Sequence, residues 1–115
     1  MKKIFVFGSN LHGWHDGGAA RYAVEHHGAI YGQGVGLQGD SYAIPTMIPL
    51  LDIIPYVSDF KKFAKEHPDW EFQVTAIGCG IAGYTPEQIA PMLKNAPENC
   101  ILPDEFKEVL CVEAC

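Results

Sequence analysis

Apolar positions along the chain change spacing several times, and each change marks a new element. Residues 3–8 (KIFVFG) are a short run of β-formers that stops at a glycine, which predicts a buried strand. A polar, glycine-rich stretch follows, GSNLHGWHDGGAA. Apolar residues at 19, 20, 23 and 24 then take helical spacing. They predict a helix from about Gly17 to just before Gly28, a good stop residue. Residues 29–39 (AIYGQGVGLQG) are too rich in glycine for a helix and read as a central loop. Residues 41–46 (SYAIPT) read as a short strand closed by Pro45.

In LLDIIPYVSDFKKFAKE, residues 50–66, apolar positions recur in steps of three and four, the mark of an amphipathic helix. Pro55 is expected in its first turn, which places the start near Ile54, and Pro68 ends it. Residues 71–77 (EFQVTAI) alternate apolar with polar and run into GCGIAG, a strand and a second glycine loop. Thr85 as N-cap and Pro86 at the first helical position open a helix over 86–94. NCIL, residues 99–102, is a short strand, and Pro103 opens a last helix over 104–111. Strands that alternate with helices predict an α/β fold: a single domain over 1–115, with a mostly parallel or mixed sheet flanked by helices.

Composition narrows the function. A length of 115 residues fits one domain, and 48% hydrophobic against 19% charged residues excludes a disordered chain. The net charge of −6 argues against nucleic acid as a partner, because phosphate contacts draw on surplus Lys and Arg. No stretch is long and apolar enough to span a membrane. The amino terminus, MKKIFVFGSN, has too short an apolar run for an export signal, so a cytoplasmic protein is expected. The cysteines at 79, 100, 111 and 115 form no CxxC pair and are expected as free thiols.

In open α/β sheets, ligands bind outside the carboxyl ends of the strands. Both glycine loops are expected there, each running into a helix. Glycine lets backbone approach a ligand closely, and the N–H groups of a helix start favour anions. Two such loops on one ligand point to a diphosphate. Neither is a P-loop, since no lysine lies in them, and GWHDGG does not match GxGxxG.

Single residues in the loops carry several readings. His12, His15 and Asp16 lack a convincing third partner for a metal, and no metal or cofactor is expected; a histidine contact to phosphate or ribose is the stronger reading. His26 and His27 suit a helix end. Cys79, between two glycines, reads as loop filler or as a nucleophile activated by helix N–H groups. Trp14 and Tyr84 either stack on a base or anchor their loops. Gln33, Gln38, Asp40 and Thr46 offer polar groups from the central segment.

The pairing of FGSNLHGWHDGGAARYAVEHHGAIYGQG with IGCGIAGYTPEQIAPML resembles a compact macro domain, the ADP-ribose-binding fold. The resemblance covers residues 4–48 and 72–93. The pattern FGSN…HG…GAA…IYGQG…GLQG…YAIPT is similar to short stand-alone phage and prophage proteins over nearly the whole chain. The macro-domain resemblance implies a nucleotide-type ligand, with Asn10 near the distal ribose and Gly17 and Gly18 bordering ribose and diphosphate. Gly78, Cys79, Gly80, Ile81, Ala82 and Gly83 fall in the loop that wraps the diphosphate. Gly8, Ser9 and His15 complete the expected ligand-binding set. The acidic residue that macro domains place ahead of the Asn turn is absent, and Ala20 stands where hydrolytic members often carry Asp. The expectation is therefore binding, with hydrolysis of an ADP-ribosyl or phosphate-linked substrate left open. The alternative is a non-enzymatic phage accessory protein that binds a host protein or sequesters a nucleotide signal.

Overall fold

One strand organises the molecule. In the computed structural model, which describes residues 1–114, β1 (Lys2–Ser9) lies at the centre of a five-stranded sheet. It pairs in parallel with β3 (Ser41–Pro45) on one side and with β4 (Trp70–Val74) on the other. Beyond β3 lies β2 (Gly36–Gln38), antiparallel; beyond β4 lies β5 (Cys100–Ile101), parallel. The sheet is mixed, and the fold is α/β. Its helices are α1 (Gly18–His26), α2 (Leu50–Glu66), α3 (Pro86–Ile89) and α4 (Asp104–Ala114).

The period of two along β1 feeds two cores. Ile4 and Val6 enter the larger one, with Ile53, Val57 and Phe60 of α2, Ile89 of α3 and Phe106 of α4. Phe7 enters the smaller one with Ala20 and Ala23 of α1, Ala29 and Ala43, and Phe5 packs against it. So α1 covers one face and the other three helices cover the other. This follows from topology. The chain moves one way along the sheet from β1 to β3 and back the other way from β3 to β4. Crossovers of one hand then lie on opposite faces. Phe60 is fully buried, edge to face on Phe72 at 5.6 Å and beside Tyr42 at 5.2 Å. Burying such a side chain contributes about 1.5–3 kcal/mol.

Several boundaries differ from expectation: β4 ends at Val74 rather than at 77, α4 runs to Ala114 rather than 111, and three further departures have a clear cause. The segment 29–39 contains a strand, β2, which a two-residue loop folds back on β3. Gly39, left-handed at φ +58°, takes the first position of that loop, where tight hairpins favour glycine. Helix α2 begins at Leu50 rather than near Ile54, with Pro55 inside it. Pro55 removes only the bond to the carbonyl of Leu51, on an exposed residue that water can serve. The helix expected over 86–94 is α-helical only to Ile89 and continues as a 3₁₀ turn, Ala90–Leu93, since Pro91 has no N–H to extend the ladder. Cys79, Cys100 and Cys111 are unbridged, and Cys115 lies outside the described residues. Among the described residues no helix is long and apolar enough to cross a membrane.

Asn99 joins the end of α2 to the sheet. Its side-chain amide donates to the carbonyls of Ala64, His67 and Trp70 at 3.0–3.1 Å. Asn99→Ala should lower stability by about 1–2 kcal/mol in urea denaturation with an unchanged slope. Asn99→Asp should not rescue it, because a carboxylate has no N–H to give.

Candidate functional site

The connection leaving β1 runs towards β3, and the one leaving β4 runs towards β5. The carboxyl ends of these neighbouring strands therefore border a crevice that no connection crosses, the usual ligand position in an open α/β sheet. A cleft of about 220 Å³ lies there. Gly8 and Ser9 at the end of β1 line it with Asn10 just beyond, and Thr75, Ala76, Ile77 and Gly78 line it from the segment that follows β4. Trp14, Asp16, Gly17, Ala19 and Ala20 add the first loop and the start of α1. Gly80, Ile81 and Ala82 add the second loop, and Thr46 and Met47 the segment just after β3. Gly8 is where these segments meet. A Cβ there would stand 2.9 Å from Thr46 Oγ1 and 3.3 Å from the Gly78 nitrogen.

The first loop is held in shape by its own polar groups and by the segment 30–38. The Asn10 amide donates to the Trp14 carbonyl at 2.9 Å and accepts from the Trp14 N–H at 3.0 Å. Gly13, left-handed at φ +72°, packs against Gly32 and Gln33, where a side chain has no room. The Gly32 N–H donates to the Gly13 carbonyl at 2.8 Å, and the Ser9 hydroxyl donates to the Gly34 carbonyl. His15 is buried beneath. Its Nε2 lies 2.9 Å from the Gln33 carbonyl and 3.2 Å from Gln38 Oε1. Both are acceptors, so Nε2 carries the proton, and buried Nδ1 has no partner. Tyr31 donates to Asp16 at 2.9 Å, which pushes the Tyr31 phenol up from its ordinary value.

Two sets of backbone amides border the cleft. Helix α1 starts at an extended Gly17 with no side-chain cap and no acidic residue in its first turn. The amides of Ala19 and Ala20, which line the cleft, have no carbonyl partner within the helix, and the helix dipole adds partial positive charge there. The second loop departs where Ile77 bonds back to Thr75 and Gly78 turns left-handed at φ +77°. Within it the N–H groups of Gly80, Ile81 and Ala82 make no hydrogen bond among the described residues. The start of α3, by contrast, is closed. Thr85 and Gln88 form a reciprocal capping box, so the second loop presents its own amides and not those of a helix.

Side chains contribute little charge. Asp16 is the one ionisable residue among those lining the cleft, and no Lys or Arg lines it among the described residues. Thr46 is buried and lines the cleft.

Of the twelve residues expected to bind ligand, Gly8, Ser9, Asn10, Gly17, Gly78, Gly80, Ile81 and Ala82 line the cleft. His15, Gly18, Cys79 and Gly83 do not. His15 braces the loop from behind. Cys79 packs against the larger core with Sγ towards the Ile77 carbonyl. Burial first, then the carboxylates of Glu105 and Glu87, push its thiol up, the opposite direction to the activation by helix N–H groups expected from the sequence. Of the central polar residues, Thr46 reaches the cleft, whereas Gln33 and Gln38 are spent on backbone partners and Asp40 faces Lys2. No three metal-ligating side chains gather among the described residues. The capping box was readable in the spacing of Thr85 and Gln88. The burial of His15 carries no local signal, because its partners lie 18 and 23 residues away. No family model, no curated protein and no solved structure matches the chain.

Gly80 and Gly83 should behave differently. Gly80 has an ordinary φ and open space at its Cβ, so Gly80→Val should unfold at nearly the wild-type temperature. Gly83 is left-handed at φ +81°, so Gly83→Val should lower stability by about 1 kcal/mol or more. Cys79 should react slowly with iodoacetamide at neutral pH, its rate rising with pH only above the range of an unperturbed thiol.

Proposed function

We propose that the cleft binds a phosphate-bearing, nucleotide-type ligand, as ADP-ribose is bound by the macro domain-like proteins that the sequence resembles. The observation that carries this reading is the pair of unpartnered amide sets, from the start of α1 and from residues 80–82, on one cleft. Amides aimed at an anion need no basic surface, so the reading is compatible with a net charge of −6. The Thr46 hydroxyl offers a further hydrogen bond at the floor, and Asp16 accepts from sugar hydroxyls. At about 220 Å³ the cleft holds one moiety, and the rest of a larger ligand lies along the exposed loops. The reading is one of binding, because the thiol of Cys79 and the ring of His15 stay outside the lining.

ADP-ribose, NAD, cyclic ADP-ribose and ribonucleotides form the test panel for calorimetry and thermal shift. ADP-ribose or a relative should stabilise the fold, by about 2.7 kcal/mol at a hundredfold excess over Kd. Gly80→Val should stay folded and lose that stabilisation. Raising salt from low to physiological should leave the affinity intact, in contrast to a site built on Lys and Arg. No shift with any member of the panel at millimolar concentration would refute the ligand.

A further inference from the structure

We propose that Trp14 is a stacking platform for the base, or an equivalent planar ring, of the ligand, and that Asn10 positions it; this rests on the ligand reading above. Trp14 borders the cleft with 57% of its surface exposed. A large aromatic side chain left in water forgoes burial, and a pinned one invites an occupant. Its backbone is fixed at both N–H and carbonyl by the Asn10 amide. One side of the indole is covered by His12, stacked at 4.5 Å and 18°. Two further apolar side chains at the same cleft are exposed, Ile81 at 83% and Met47 at 50%. Together they leave an apolar rim above a floor of glycine backbone and hydroxyls. That arrangement suits a ligand with a polar, phosphate-bearing end and a flat apolar end. Tyr84 takes the other role. Its hydroxyl donates to the Ile48 carbonyl and its ring packs on the larger core, so it anchors its loop.

Asn10 therefore acts through Trp14. Its amide oxygen and nitrogen are both engaged with the Trp14 backbone. One N–H and one lone pair of that amide stay free, and a ribose contact made through them would be lost for both ADP-ribose and ribose 5-phosphate in Asn10→Ala.

Calorimetry with ADP-ribose and with ribose 5-phosphate, which lacks a base, separates the roles. Trp14→Ala should raise the Kd for ADP-ribose roughly 5- to 150-fold. It should leave the Kd for ribose 5-phosphate within about twofold, since base stacking is the interaction removed. Trp14→Phe should retain most of the affinity, and Asn10→Ala should weaken ADP-ribose selectively in the same direction. ADP-ribose should also quench Trp14 emission, read as the difference between wild type and Trp14→Phe. This readout decides the matter if ribose 5-phosphate binds too weakly to measure. Unchanged ADP-ribose affinity in Trp14→Ala, an equal loss for both probes, or no quenching overturns the stacking proposal alone. A wild-type protein that binds neither probe overturns the ligand reading, and the stacking proposal with it.

Discussion

The structure depends on β1 serving two cores while paired on both edges. A strand in that position has no solvent side, so its residues from Ile4 to Phe7 must be apolar and its neighbours must be parallel strands brought in by crossovers. The crossovers place α1 on one face and the remaining helices on the other. They also leave the carboxyl ends of β1 and β4 side by side with nothing between them. Gly8 stands next to the last residue of this strand, where three segments converge and a side chain would strike Thr46 and Gly78. The cleft is thus a consequence of strand order, and its lining is whatever the two departing loops supply.

The elements with strong periodicity were legible in the sequence. The apolar run of β1, the three-and-four spacing of α2 and the Thr85-Pro86 helix start each state a local preference that the fold keeps. What was hidden depends on distant partners. Three residues of β2 have no strand propensity, and pairing through the Gly39 turn creates them, although Gly39-Asp40 between two short segments is itself a hairpin signal. The start of α2 was misplaced because a proline was expected in a first turn. Burial of Ile53 holds the turn ahead of Pro55 in place. Both glycine loops were visible as composition. Which glycines face the cleft was not, and neither was the choice between Trp14 and Tyr84, because that choice turns on Ile48, 36 residues before Tyr84.

The first loop has a division of labour that residue types alone do not show. Its most polar members, Ser9, Asn10 and His15, spend their hydrogen bonds on backbone of this loop or of residues 33 and 34. The groups left over for a visitor are main-chain N–H groups, one indole and one carboxylate. On the ligand reading proposed above, such a site recognises shape and amide geometry more than charge, and the segment 30–38 holds its first loop in place.

The alanine layer beneath α1 has a consequence for how the molecule breathes. Ala20, Ala23, Ala29 and Ala43 offer far less apolar area than the phenylalanines and isoleucines of the opposite face, so α1 is packed on less apolar surface than α2, and less burial lowers the cost of local opening. Its first turn is also the part without a cap. On the ligand reading proposed above, an anion seated at Gly17 takes the place of the missing N-cap, and order in that first turn is coupled to occupancy of the cleft.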